Sequence, residues 1–251
     1  MATTQVQSVT RAFSILNTFD KQRTTLTSSE IAQRVGLNNK TVHRFLLTLE
    51  SIGAVTRMGR GRFCLGMTLA ELGGQVSIHR VLNETSQPYL EHMAKIYNES
   101  VQVAVLDGTN IFSIAHIPST HNLTIGIREG QHWPAYCTAV GKVLLADMDD
   151  RRLKIFLNTC KYERRTPYTI TNARDFLAHI KEVREQGYAV NDQESDLGMR
   201  GISVPIKSKH GNASAAISLS GPTMRLSLEK MLETKSDLEY CASEIASHLY
   251  G

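Results

Sequence analysis

Thr27-Ser-Ser-Glu-Ile-Ala-Gln-Arg-Val-Gly36 followed by Leu37-Asn-Asn-Lys-Thr-Val-His-Arg-Phe-Leu-Leu-Thr-Leu-Glu50 is the stretch on which the fold turns. Thr27 and Glu30 stand in capping-box spacing, so each side chain satisfies the other's free backbone amide at a helix start. The short helix they open carries Ile31, Ala32 and Val35 on one face and stops at Gly36. A second helix begins at Asn38 or Asn39, both good N-caps. Val42, Phe45, Leu46, Leu49 and Ile52 give it an apolar stripe of helical period. Its other face carries Lys40, Thr41, His43, Arg44 and Thr48. A short bracing helix, a tight turn and a second helix with a basic face near its start make a helix-turn-helix, whose second helix enters the DNA major groove.

The chain then reads Ala54-Val-Thr-Arg-Met-Gly-Arg-Gly-Arg-Phe-Cys-Leu65, two strands around a Gly-Arg-Gly turn, with arginines at the tip. That hairpin is a wing. Upstream, Val9, Ala12, Phe13, Leu16 and Phe19 recur at helical spacing within residues 6–20, predicting a helix that covers the helix-turn-helix core.

Charge follows the same division. Residues 1–66 hold nine Lys/Arg against three Asp/Glu, an excess of six positive charges. The other 185 residues hold nineteen against twenty-one, a net of minus two. A basic excess confined to one segment is the electrostatic footprint of a phosphate-facing domain.

Arg44, His43 and Thr41 are best placed to reach base edges, Arg by bidentate pairing with guanine and Thr by its hydroxyl and methyl. Asn39 reads adenine if it is not consumed as a cap. Lys40, Arg57, Arg60 and Arg62 suit phosphates or the minor groove, contacts that add affinity without sequence information. A two-fold dimer of such a unit implies an approximately palindromic operator in double-stranded DNA.

Residues 67–79 read as a linker helix interrupted at Gly73-Gly74, with apolar residues on more than one side. From residue 83 the pattern becomes mixed. It predicts a helix over 85–98, strands over 100–106, 111–117 and 122–127, and helices over 138–146, 149–157 and 174–186. Strands at 188–192, 202–206 and 213–220 follow, the last two joined by a His210-Gly-Asn212 turn, and a final helix runs from 228 to 249. Hairpins flanked by helices indicate an α+β domain with an antiparallel sheet. The expected organisation is a winged helix-turn-helix domain over 5–66, a linker helix over 67–82 and a sensor and oligomerisation domain over 83–251.

Cys64, Cys137, Cys160 and Cys241 lie far apart, without CxxC or zinc spacing, and are expected as reduced thiols of a cytoplasmic protein. No apolar run approaches the ~20 residues of a membrane span, so no membrane partner is expected. The eight histidines other than His43 are scattered, and no metal or other cofactor is expected. Gly141-Lys142 is no P-loop, since the first glycine of that motif falls on Tyr136.

Pro134-Ala-Tyr-Cys-Thr138 feeds a helix opening Thr138-Ala-Val-Gly141. The first amides of a helix lack intrahelical partners and carry partial positive charge, and small residues let a carboxylate approach them. That is a seat for a small organic acid. Asp192, Glu194 and Asp196 alternate along a strand, and Cys137 follows His132 by five residues, but neither set has the partners that catalysis requires.

These pieces resemble the IclR family of bacterial transcriptional regulators over nearly the whole chain. The resemblance is carried by Gln7-Ser-Val-Thr-Arg-Ala12, Gly36-Leu37 with Thr41-Val-His-Arg-Phe-Leu46, and Pro134 to Ala146. Thr169-Ile-Thr171, Val183-Arg-Glu-Gln-Gly-Tyr188, Asp192-Gln-Glu194 with Leu197-Gly198, and Ala216-Ile-Ser-Leu-Ser-Gly221 extend it. It implies a winged helix-turn-helix, a linker helix and a C-terminal effector domain, assembled as a homodimer or a dimer of dimers. It implies an effector pocket formed by Trp133, Ala139, Val140, Asn191, Met199, Gly201, Ser218 and Ser220, flanked by Tyr136 and His132. Ser218 and Ser220 alternate and so face one side of a strand.

Three places depart from the family pattern: Lys40 stands where Ser is common, Trp133 where Leu is common, and Gly201 where Cys or Ser is common. The expected function is a ligand-responsive regulator of a catabolic operon that senses a small acid. The alternatives are a constitutive DNA-binding protein whose C-terminal half only oligomerises, and an enzyme fused to a DNA-binding head.

Overall fold

The computed structural model describes residues 6–20, 23–75, 77–209 and 211–250. The chain divides between Ser77 and Ile78 into two compact units. The first comprises α1 (Gln7–Leu16), β1 (Leu26–Thr27), α2 (Ser28–Val35), α3 (Asn39–Ser51), β2 (Val55–Met58), β3 (Arg62–Leu65) and α4 (Met67–Gly74). Its core joins Ile15, Leu26, Ile31, Val42, Leu46, Leu49, Val55 and Phe63. The wing gains an unexpected edge, because β1 pairs with β3 and gives the sheet order β1-β3-β2.

Three expectations for this unit need correction. α1 ends at Leu16, and Ile15 is its buried residue, while Val9 and Phe13 face outward. Ile52, expected in the α3 stripe, is exposed, because it is the C-cap and has left the helical register. The linker expected over 67–82 is divided: α4 stops at Gly74, and residues 78–82 are the first turns of α5 (Ile78–Tyr97), which continues unbroken through the helix expected at 85–98. Val76 lies outside the described residues.

The second unit is built on a six-stranded antiparallel sheet of order β6-β5-β4-β9-β8-β7. Its strands are β4 (Ser100–Asp107), β5 (Asn110–Ile117), β6 (His132–Pro134), β7 (Ala189–Asp192), β8 (Met199–Lys207) and β9 (Ala213–Pro222). Strand alternation sorts the side chains into two layers. Val101, Val103, Ile202, Val204, Ile217 and Leu219 face α5 and the C-terminal helices α9 (Leu228–Glu233) and α10 (Lys235–Tyr250). Ala104, Ala216 and Ala189 face α6 (Ala139–Ala146) and α8 (Ala173–Gln186), with α7 (Asp150–Thr159) beside them.

The strand expected over 122–127 does not form; the outer strand is β6. Ile127 instead donates its amide to the Ile125 carbonyl at 2.9 Å, and Ser113 of β5 takes its partners from Gln131 and Gly130. The final helix is broken at Thr234, whose buried hydroxyl donates to the Met231 carbonyl at 2.8 Å and so ends α9. The β8–β9 turn closes through Gly211, which adopts a left-handed φ of 79°. His210 lies outside the described residues.

Candidate functional site

In the first unit the local signals build a helix-turn-helix. The Thr27 amide donates to the Glu30 carboxylate at 2.7 Å and the Glu30 amide to the Thr27 hydroxyl at 3.3 Å. Gly36, at φ 66°, turns the chain out of α2, and Asn38 caps α3 by accepting the Lys40 amide at 2.8 Å. Asn39 is therefore the first helical residue and keeps its side chain free of the capping role. Asn39, Lys40, His43 and Arg44 are exposed on one side of α3, and Thr41 is half-buried beside them.

The wing arginines divide by role. Arg57 makes a two-pronged contact with Glu50 at 3.1 and 3.3 Å and lies 5.2 Å from the Phe63 ring centroid. Arg62 donates to the Thr25 hydroxyl and carbonyl at 3.2 and 2.8 Å and lies 3.8 Å from Glu30. Both arginines fasten the wing to the helices. Arg60 stands at the tip with φ 62° between Gly59 and Gly61. Lys40, Arg44 and Arg60 make no ion pair among the described residues.

In the second unit a small cavity lies beneath the start of α6. Thr138 caps this helix by accepting the Gly141 amide at 3.1 Å. Gly141 is required by close approach, because a Cβ there would lie 2.1 Å from the Ala135 carbonyl oxygen. The cap leaves the Ala139 and Val140 amides as the unpaired leading donors of the helix. Seven of the eight expected pocket residues line the cavity: Trp133, Ala139, Val140, Asn191, Met199, Ser218 and Ser220. Gly201 is not in its wall. It lies opposite Ser220 and, lacking a side chain, leaves room for the Ser220 hydroxyl.

Gln102, Ile111, Ile127 and Ser195 also line the cavity and were not legible in the sequence, while Thr138, also in the wall, belongs to the helix start expected to seat the acid. Gln102 is paired in register with Ser218, a relation set by a strand pairing that no local pattern reveals. Three buried polar atoms of the lining, Gln102 Oε1, Trp133 Nε1 and Ser218 Oγ, have no partner among the described residues. Asn191 is committed elsewhere. Its Oδ1 accepts the Glu194 amide at 2.9 Å and its Nδ2 donates to the Ser195 hydroxyl at 2.8 Å, bracing the turn after β7.

The neighbouring titratable groups are paired internally. Lys142, fully buried on α6, is ion-paired with Glu194. Burial raises the Glu194 carboxyl, opposed by Lys142. β7 ends at Asp192, so Glu194 and Asp196 lie in the turn beyond it instead of alternating along a strand. Asp192 binds Arg200 at 2.6 Å and Asp196 lies 3.6 Å from Arg165, so each acid has a separate cation. Burial pushes the Cys137 thiol up to about 12, and His132 faces Asp107 at 2.9 Å. Tyr136 donates to the Glu163 carbonyl at 2.6 Å. Neither flanking residue, Tyr136 or His132, lines the cavity.

The two-part organisation has counterparts among known proteins. Residues 75–247 match the family model of the bacterial transcriptional regulator IclR C-terminal domain, and residues 8–59 match the IclR helix-turn-helix domain. The chain is 34% identical over 245 residues to the HTH-type transcriptional regulator KdgR of Escherichia coli K12, covering 97% of this chain and 93% of that protein. It is 33% identical over 233 residues to the Pca regulon regulatory protein of Pseudomonas putida, covering 92% and 77% respectively. It superposes with a TM-score of 0.63 on an IclR homolog from Microbacterium hydrocarbonoxydans complexed with 4-hydroxybenzoate, at 26% identity over 96% of this chain and 98% of that one. No helix of the described residues is long and apolar enough to cross a membrane. With a winged helix-turn-helix ahead of an α+β effector-binding domain, the chain belongs to the IclR family of bacterial transcriptional regulators.

Proposed function

We propose that this regulator binds a small organic acid in the cavity beneath α6 and thereby changes its affinity for an approximately palindromic operator. The observation that carries the reading is the pair of unpartnered buried donors, Trp133 Nε1 and Ser218 Oγ, around one cavity. The unpartnered Gln102 Oε1 beside them accepts only from a hydroxyl or amide on the ligand, not from its carboxylate. A buried polar atom without a partner costs stability, and a ligand that supplies the missing bonds recovers it. The carboxylate is received by the Ala139 and Val140 amides, where the positive end of α6 favours an anion. Ser220 and Met199 complete the wall, and Asn191 and Gly201 act indirectly, by holding the turn after β7 and making room for Ser220. The relatives support an acid: one structural neighbour holds 4-hydroxybenzoate.

On the DNA side, Arg44, His43, Thr41 and Asn39 read bases, while Lys40 and Arg60 contact phosphate or the minor groove. Arg57 and Arg62, bound to Glu50 and Thr25, set the angle of the wing and reach phosphate only with their remaining donors. Exposed Val6, Val9 and Phe13 on one side of α1 favour pairing of two such units, hence a homodimer or a dimer of dimers. Asp192, Glu194 and Asp196 each face a cation and burial raises the Cys137 thiol, which favours a regulator over an enzyme, acting in the cytoplasm without a cofactor.

The test is a thermal-shift screen of the full chain against aromatic, keto and sugar acids, repeated with Ser218→Ala. An effector at 100 times its dissociation constant stabilises by about 2.7 kcal/mol, and the variant loses that shift. If no acid shifts either protein, the constitutive DNA-binding alternative takes its place.

A further inference from the structure

The cavity beneath α6 does not end at Trp133. Ile127, Trp133 and Met199 line it on one side, and the same three residues line a second cavity. The inner cavity is about 20 Å³ and the outer about 470 Å³. The inner one has room for a water-sized group; the outer one is the size of a small-molecule site.

Their chemistry differs as much as their size. The inner cavity holds the unpartnered Gln102, Trp133 and Ser218 atoms, whereas Leu123, Ile125, Leu197, Pro222 and Met224 face the outer one. Leu123, Leu197 and Met224 remain 56%, 66% and 77% exposed, a cost that an apolar occupant removes.

The outer walls are fastened in place. Arg225 grips Glu99 with two bonds of 2.6 and 2.8 Å and donates a third, of 3.0 Å, to the Leu123 carbonyl. The Thr223 amide donates to the Gly198 carbonyl at 2.7 Å. The three segments around residues 123, 198 and 223 are therefore held to the end of the sheet. The Asp196 carboxyl also lines the outer cavity, with Oδ2 buried and unpartnered. Arg165, 3.6 Å from Asp196, offsets that charge, so the outer end offers an anion no net attraction, while the α6 amides attract one at the inner end.

Resting on the acid-effector reading above, we infer that the effector is an amphipathic monocarboxylic acid. Its carboxylate reaches the inner cavity, and its aryl or alkyl body fills the outer one. A polyhydroxylated acid fits poorly, because the apolar outer wall strips its hydroxyls of water without replacing the hydrogen bonds.

Trp133 is the single tryptophan of the chain and lines both cavities, so its emission reports occupancy. The full chain is titrated with acetate, phenylacetate, octanoate and gluconate, and calorimetry supplies the affinity and a stoichiometry of one per chain. Phenylacetate or octanoate is expected to bind at least about tenfold more tightly than acetate or gluconate, a margin that apolar burial readily supplies. The double variant Leu197→Gln/Met224→Gln, at exposed positions that the fold does not need, is expected to remove that margin and leave acetate unchanged. Ser218→Ala weakens every acid. If gluconate binds as tightly as phenylacetate, or the double variant keeps the margin, while Ser218→Ala still weakens binding, the amphipathic inference fails and the acid-effector reading survives. If no acid binds, both fail.

Discussion

Gly201 of β8 lies directly opposite Ser220 of β9, and a Cβ at position 201 would stand 2.5 Å from the Ser220 hydroxyl oxygen. The atom in the way is the end of a rotatable side chain, so an added methyl is accommodated by turning the hydroxyl rather than by moving the sheet. Gly201→Ala is therefore expected to change stability by less than about 1 kcal/mol. It should weaken effector binding by about tenfold, the cost of one misplaced hydrogen bond. Melting temperature and calorimetric affinity, measured on the same samples, separate the two effects. A large drop in melting temperature would show that the backbone, and not the hydroxyl, had moved.

Gly141→Ala makes the opposite prediction. Here a Cβ meets the Ala135 carbonyl oxygen at 2.1 Å and its Cα at 2.4 Å, backbone atoms that have nowhere to turn. The start of α6 must shift away from the turn at residues 135–137, at a cost of about 3 kcal/mol, the upper range for overpacking. Denaturant midpoints of wild type and variant check this, and equal midpoints would refute the close approach.

The basic residues of the first unit should separate in DNA binding. Arg44→Ala is expected to cost about 1–3 kcal/mol and to relax specificity at one base position of each half-site. Arg60→Ala should weaken binding evenly across sequences and reduce the salt slope by about 1. Arg57→Ala removes the exposed pair with Glu50, worth about 0–1 kcal/mol to stability, and loosens the wing. Fluorescence anisotropy over a salt series distinguishes base reading from phosphate contact. An Arg44→Ala loss equal on specific and random DNA would reject the base-reading role.

His179 gives a pH signature. Burial, reinforced by Lys142, lowers its pKa from 6.5 to about 4. Its Nε2 is buried without a partner, while Nδ1 lies 3.6 Å from Glu182. Between those two pKa values the unfolded chain binds the proton that the folded chain refuses, so stability is complete above pH 6.5 and is lost as pH falls towards 4. The loss between pH 7 and pH 5 is about 2 kcal/mol for this group. In His179→Leu that part of the acid sensitivity should disappear. Identical slopes of stability against pH in the two proteins would place the titration elsewhere.

The sequence left the α3 cap open between Asn38 and Asn39, whereas the Thr27–Glu30 capping box and the stop at Gly36 were legible in the chain, because each device joins residues within four positions. The same holds for the α6 start, where Thr138 and Gly141 are neighbours along one helix turn. The two strand periods were legible for the same reason, and they placed Ser218 and Ser220 on one face.

Folding decided what depends on distant segments meeting. Val9, Phe13 and Ile15 are all apolar on one short helix, and only its docking selects Ile15 for the core. Residues 122–127 have strand composition, yet β5 takes its edge partner from residues 132–134 because strand pairing is a competition between segments. That Arg57 and Arg62 also brace the wing, against Glu50 and Thr25, follows only from residues of separate segments being brought together. Gln102 had no signal at all, since its place in the cavity comes from the pairing of β4 with β9. Short-range hydrogen bonds and side-chain periodicity are properties of the sequence itself; which buried polar atoms stay unpartnered, and so await a ligand, is settled only when the sheet closes over them.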